Sequence, residues 1–372
     1  MNNNNLPVNY PRRVFIRRGM IALGRLLFTL LARVEINGRE NLPIHGPAIL
    51  AGNHVAALEA VLMAVYSPAL VEFFGNGDIP FDPNYAFIVK AYDLIPVNRG
   101  NLDRENLQKA LDILKQGGVL GIFPEGGIWN PSQMRAQTGV ALLSHRSQSP
   151  VIPIGFGGVR DGLQKVRSFQ RPKLVMNVGK AISPVEISDP SLSIKSNLEI
   201  AARHILAEIN TLIPEEDQRH HHRRVDEDYR LDVKVFSNGE RIAIPDVLVL
   251  TQGNAYAHLL YSPTLLDVLV RNLRLPIRPL KKVNQQSDLE KVLIAFDAIL
   301  AYLNTNPGFF TYRFGVEEGL AVKESLSELH RLATWAHESG YQVNIQPTRQ
   351  YRNANSGAQV VESGGCFPKS FG

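Results

Sequence analysis

Three residues able to move protons stand out in this 372-residue chain: His54 follows Gly52-Asn53, Glu59 lies five positions on, and Glu125 precedes Gly126-Gly127. An apolar run from Ile49 to Ala51 leads into the first of these, and Val55 to Met63 follows with Glu59 as its one carboxylate. That pattern predicts a buried strand, a tight turn carrying His54, and a helix holding Glu59 in its early part. On one continuous helix the two side chains would lie roughly 140° apart. They meet only if His54 sits in the turn and Glu59 reaches back. A carboxylate on one ring nitrogen then fixes the tautomer and leaves the other nitrogen as a base. A polar turn histidine with an exposed helix glutamate fits the same letters.

Two further strand ends carry polar groups. Ile95 to Val97 reads as a short strand running into Asn98-Arg99-Gly100. The next helix, Asp103 to Gln116, has Leu107, Leu111 and Leu114 on one face and stops at Gly117-Gly118. Arg99 therefore stands at a strand-to-helix junction, either as a phosphate fork or as a surface arginine. Val119 to Phe123 reads as a buried strand ending in Pro124-Glu125-Gly126-Gly127. The glycine pair lets backbone approach a ligand closely, and Glu125 is either a hydroxyl acceptor or a turn acid. Val151 to Gly157 is another strand, in which Pro153 implies an edge or a bulge.

Strands at Leu70–Phe74 and Leu174–Gly179, with helices at Gln137–Ser144 and Leu198–Leu212, complete an alternating pattern. It indicates an α/β domain, a mixed sheet flanked by helices, with one site at one sheet edge. Apolar residues make up 44% of the chain, enough for a core, and the single Cys366 excludes an intramolecular disulfide framework. The net charge is +5, and no nucleic-acid partner is expected.

Residues 1–34 divide into an asparagine-rich tip, expected to be disordered, and a basic amphipathic helix. From Pro11 to Arg33 there are six arginines and no acid. The apolar run Leu26–Ala32 falls far short of the ~20 residues a span needs, and no small-residue cleavage site follows it. Such a helix either lies on a membrane, arginines toward anionic headgroups, or packs on the protein's own core. The absence of acidic neighbours for the arginines favours the membrane, giving a peripheral protein on its cytoplasmic face.

Four segments stand in order: Asn53-His54-x4-Glu59, Val97-Asn98-Arg99-Gly100, Phe123-Pro124-Glu125-Gly126 and Val151-Ile152-Pro153-Ile154. Together they resemble the glycerolipid acyltransferase family that includes bacterial 1-acylglycerol-3-phosphate acyltransferases. The resemblance covers roughly residues 35–213. It implies that His54 is the general base, that Glu59 stands where the family has an orienting aspartate, and that Arg99 binds the acceptor phosphate. It implies that Glu125, Gly126 and Gly127 hold the glycerol part, with Asn53 and Pro153 also at the substrate. The donor would be an acyl-CoA or acyl-carrier-protein thioester, the acceptor a lysophospholipid, and no metal or redox cofactor is needed. Glycerol phosphate or another hydroxyl lipid as acceptor, or a catalytically impaired lipid-binding relative, are the alternatives. Two departures stand out: glutamate replaces aspartate in the first segment, so Glu59→Asp is expected to leave activity equal or higher. In the third segment Ile128 stands where the family often has arginine, which shifts phosphate binding toward Arg99 and Arg135.

The rest resembles nothing recognised. Residues 214–230, with His220, His221 and His222 among acids and arginines, read as a charged linker or a solvated helix. Adjacent histidines on a helix point apart, which disfavours a shared metal. Residues 231–350 are expected to form a smaller α/β or α+β domain: a strand at Arg241–Leu250, a helix opened by Ser262-Pro263, and capping boxes at Ser287 and Ser325. Residues 351–372 are expected to be a disordered tail.

Overall fold

A computed structural model describes residues 9–76, 83, 85–97, 104–125, 136–160, 162–221, 224–275, 286–353 and 356–363. The chain divides into two compact units, Met1–Gly77 with Ile88–His222, and Asp78–Phe87 with Arg223–Gly372.

In the first unit the strands are β1 (Arg33–Asn37), β2 (Ala48–Gly52), β3 (Val71–Asn76), β4 (Ile95–Val97), β5 (Val119–Ile122), β6 (Val151–Gly157) and β7 (Lys173–Val178). They form one sheet in the order β1-β7-β6-β2-β5-β3-β4. Every neighbouring pair is parallel except β6 with β7, so the sheet is mixed. The helices are α1 (Val14–Leu31), α2 (Leu58–Tyr66), α3 (Ala86–Tyr92), α4 (Arg104–Lys115), α5 (Gly139–Ser147), α6 (Gly162–Arg167), α7 (Ile194–Leu212) and α8 (Glu215–His221). The alternation of a strand fixes the layers. Leu50 packs in the core with Phe28, Leu62 and Met63 of α1 and α2. Its neighbours Ile49 and Ala51 pack on the other face with Ile113, Val140 and Ile205 of α4, α5 and α7. A sheet covered on both faces explains why β2 and β6 are apolar throughout and wholly buried.

Pro153 lies inside β6, which is an interior strand. The pairing with the following chain runs Val151–Ile182 and then Ile154–Val178. Three steps on one side face four on the other, so Pro153 sits in an irregularity of the ladder, where a missing N–H is tolerated.

α1 corrects one expectation. Three of the arginines in and just before it, Arg12, Arg13 and Arg17, have acidic partners supplied by distant parts of the chain. The Arg17 side chain is wholly buried and grips Glu72 of β3 through both guanidinium nitrogens, at 2.5 and 2.9 Å. Arg12 reaches Glu72 at 2.7 Å, and Arg12 and Arg13 reach Asp93 at 3.0 and 3.3 Å. Arg17 also lies 4.5 Å over the Tyr92 ring. Phe15, Ile16, Leu23, Leu26, Leu27 and Leu30 of the same helix are exposed. The helix thus turns a cation inward and leucines outward. Arg17→Ala should destabilise this unit by about 3 kcal/mol in urea unfolding, because Glu72 stays buried with only Arg12 to meet it. A loss below about 1 kcal/mol would mean Arg12 alone suffices.

The second unit has a sheet of order β11-β10-β8-β9, from β8 (Arg224–Ser237), β9 (Glu240–Ile242), β10 (Gln342–Asn353) and β11 (Gln359–Ser363). Helices α9 (Gly253–Tyr261), α10 (Pro263–Asn272), α11 (Gln286–Thr305), α12 (Gly308–Phe314) and α13 (Val316–Glu338) share its core. Four expectations change here. Residues 224–230 are not linker but half of β8. Residues 351–363 are not a disordered tail, since β10 runs to Asn353 and pairs with β11. The strand expected over Arg241–Leu250 stops at Ile242, before Pro245. Ser325 lies buried within α13 and opens no helix. Its companion Glu328 caps another helix, accepting the Thr251 and Gln252 N–H groups at the start of α9.

Candidate active site

β2 and β5 are parallel neighbours, with Ala51 opposite Ile122. Three residues beyond that pair on either strand come His54 and Glu125, so register alone brings the two together. The His54 backbone N–H donates to Glu125 Oε2 at 3.2 Å. The strand end is built for close approach: a Cβ on Gly52 would lie 2.7 Å from the Phe156 ring.

The turn between β2 and α2 is held from within. Asn53 is fully buried, its Oδ1 accepting from the Phe156 N–H at 2.7 Å and its Nδ2 donating to the Phe156 carbonyl at 3.3 Å. It extends the β2–β6 pairing by one side chain. Ala57, just before α2, offers no capping side chain. Glu59 supplies the missing acceptor: its Oε1 takes the Val55 and Ala56 N–H groups at 2.6 and 2.7 Å. That fixes the carboxylate, and its other oxygen, Oε2, faces His54 Nδ1 at 4.0 Å. The separation exceeds hydrogen-bond length, as catalytic contacts often do before substrate closes the site. Phe123 stacks on the imidazole with centroids 4.3 Å apart and planes 18° apart.

Both carboxyls are hard to ionise. Burial pushes Glu59 up to about 8, with the amides of Glu59, Val55 and Ala56 pulling down and Glu125 adding to the rise. Burial pushes Glu125 up to about 7, opposed by the His54 N–H. Glu125 is 1% exposed, and its Oε1 has no hydrogen-bond partner among the described residues. A buried acceptor oxygen without a partner is a place for a donor such as a hydroxyl.

The structure thus brings together His54, Glu59 and Glu125. Asn53 is fully buried and bonds Phe156 through both its polar atoms, so it shapes the turn. Pro153 is a buried strand residue of β6 beside Gly179. Arg99, Gly126, Gly127, Ile128 and Arg135 lie outside the described residues. Reading the residues in sequence missed Phe123, although the β2–β5 register sets it next to the His54 turn. Among the described residues no group of three or more His, Cys, Asp or Glu is arranged to hold a metal.

The family model described as Acyltransferase matches residues 33–157, the stretch that holds His54, Glu59 and Glu125. The 1-acyl-sn-glycerol-3-phosphate acyltransferase of Bacillus subtilis is 19% identical over 165 residues, which is 44% of this chain and 81% of that protein. The N-acylphosphatidylethanolamine synthase of Arabidopsis thaliana is 30% identical over 132 residues, 32% of this chain and 46% of that one. A solved structure, the 1-acyl-sn-glycerophosphate (LPA) acyltransferase PlsC of Thermotoga maritima, covers 53% of this chain and 80% of its own, at 18% identity and a TM-score of 0.38. Residues 33–157 thus carry an acyltransferase domain, similar to that of the 1-acyl-sn-glycerol-3-phosphate acyltransferase of Bacillus subtilis.

Proposed function

We propose that this protein moves a fatty acyl group from a thioester to the free hydroxyl of a lysophosphatidic-acid-like lipid at the cytoplasmic face of a membrane. The observation that carries the reading is His54 at a strand end, its Nδ1 toward the anchored Glu59, beside the bare Oε1 of Glu125.

The steps balance without a further reactant. On binding, the acceptor's one free hydroxyl donates to Glu125 Oε1, which seats its glycerol part, and it then turns its proton to His54 for the attack. His54 takes the proton of the attacking hydroxyl at the ring nitrogen turned away from Glu59. The freed oxygen adds to the thioester carbonyl, and the tetrahedral oxyanion collapses with loss of the thiol, which takes the proton back from His54. Ester forms, thioester breaks, and the catalyst returns to its starting state. The thioester, carried by coenzyme A or by an acyl carrier protein, is already activated, so the reading calls for no metal. Arg99 would meet the acceptor phosphate, and Gly126-Gly127 would let backbone amides approach it.

The membrane reading is supported by the exposed apolar stripe of α1, where Phe15 is 93% and Leu30 58% exposed. Among the described residues no helix is long and apolar enough to cross a membrane.

One assay tests donor, acceptor and place together. Acyl-CoA and acyl carrier protein thioesters are offered with lysophosphatidic acid, glycerol 3-phosphate or phosphatidylethanolamine in anionic vesicles. The last is included because one relative is an N-acylphosphatidylethanolamine synthase. Fastest turnover is expected with lysophosphatidic acid, in the vesicle fraction. Arg99→Ala is expected to raise KM for that acceptor about tenfold and to leave the donor KM within twofold. Equal effects on both would remove the phosphate role, and turnover confined to the supernatant would remove the membrane.

A further inference from the structure

Phe169 stands in a position that neither its backbone nor its packing explains. It follows α6, and the helix closes there with two bonds, Phe169 N–H to the Val166 carbonyl at 3.1 Å and Gln170 N–H to the Lys165 carbonyl at 2.9 Å. That is the Schellman pattern, and it places Phe169 at the left-handed residue, φ +55°, where glycine is usual. A side chain there pushes Cβ against the following carbonyl. Packing among the described residues does little to offset the strain, because Phe169 is 79% exposed.

The surroundings say what the ring meets. From Gly162 to Lys173 the sequence holds Lys165, Arg167, Arg171 and Lys173 and no acid. All four are exposed, Lys173 being paired with Glu35. Arg171, itself at φ +45°, donates to the Thr29 carbonyl at 3.2 Å, so the loop lies against the carboxyl end of α1. There Leu26, Leu27 and Leu30 are exposed as well. An exposed apolar tip flanked in sequence by cations, on a loop tied to the end of α1 with its exposed leucines, matches a bilayer whose headgroups are anionic. Two copies meeting through this face would bring like charges together.

We propose that Phe169 is a second membrane anchor, seated in the acyl boundary of an anionic lipid surface while Lys165, Arg167 and Arg171 hold the headgroups. It rests on the membrane reading of α1 given above and adds a separate point of contact, which fixes the rotation of the domain on the lipid.

The test uses the full chain and vesicles of phosphatidylcholine with and without phosphatidylglycerol. Phe169→Gly relieves the strain, so its Tm should rise, while its partition onto anionic vesicles should fall about tenfold. Phe169→Trp should keep the partition and show an indole emission shifted to the blue on vesicles. Leu26→Glu with Leu30→Glu serves as the α1 control. If Phe169→Gly partitions like the native chain while that control does not, the second anchor is overturned and α1 stands. If the native chain binds neither vesicle, the whole membrane reading falls with it. A change in sedimentation velocity of Phe169→Gly without vesicles would assign the face to a second copy and overturn the proposal.

Discussion

His54→Ala should cut acyl transfer by about 10³-fold, the range that loss of a positioned base produces. The fold should survive it. The imidazole is 20% exposed, while the turn itself is held by Asn53 on Phe156 and by Glu59 on Val55 and Ala56, none of which needs the ring. The Glu125 contact uses the His54 backbone, which alanine keeps. Thioester turnover and the thermal unfolding curve of the two proteins decide the matter. An unchanged Tm with lost turnover supports the base. Equal background rates in both would make the chain a lipid- or thioester-binding relative that keeps the architecture without the chemistry.

Much of this site is legible in the sequence because it is local. The apolar run, Gly52-Asn53, and an apolar helix with one early carboxylate are enough to put His54 in a turn and to have Glu59 reach back. The identity of the groups that hold the turn is less legible. Asn53 reads as a ligand residue, and only the β2–β6 pairing shows that it also ties the turn to Phe156. Arg17 looks like one of several surface cations, because Glu72 lies 55 positions away and only the sheet brings it near. Phe123 carries no chemistry as a letter, and its stack on His54 depends on register between two strands. In β8 the signal was present but obscured: Asp228, Arg230, Asp232 and Lys234 alternate with Tyr229, Leu231, Val233 and Val235 at the period of a half-buried strand. Charge density suggested a linker where periodicity pointed to a sheet. The Ser325–Glu328 pair has the spacing of a capping box, yet Glu328 caps a helix that precedes it by more than seventy residues. Spacing along the chain marks a capable acceptor without saying which helix end it will meet.

Glu59→Gln should slow transfer and stabilise the protein, and the two effects have one cause. Burial raises the Glu59 pKa to about 8 from a reference near 4.5. Only the ionised form can steady the imidazolium that forms when His54 takes the proton. Native activity should therefore climb as pH rises through about 8, and Glu59→Gln should lose that limb and about 10²-fold of the rate at pH 9. For stability the sign is opposite. The folded state favours the protonated acid, so this contribution is fully present below about 4.5 and is lost as pH rises through 8. Glutamine keeps an oxygen for the Val55 and Ala56 amides and has no charge to bury. Its advantage in unfolding free energy should be near zero at pH 4 and on the order of a few kcal/mol at pH 9. The geometry also revises the expectation for aspartate. Oε1 is tied to the turn amides while Oε2 faces the ring, and a side chain one methylene shorter, by about 1.5 Å, cannot hold both without moving α2. Glu59→Asp should then lose rate rather than gain it. A pH–rate profile and unfolding curves at pH 4 and 9 for the three proteins check both halves. A Glu59→Gln variant as active as the native chain at pH 9 would leave His54 with no need of its neighbour's charge.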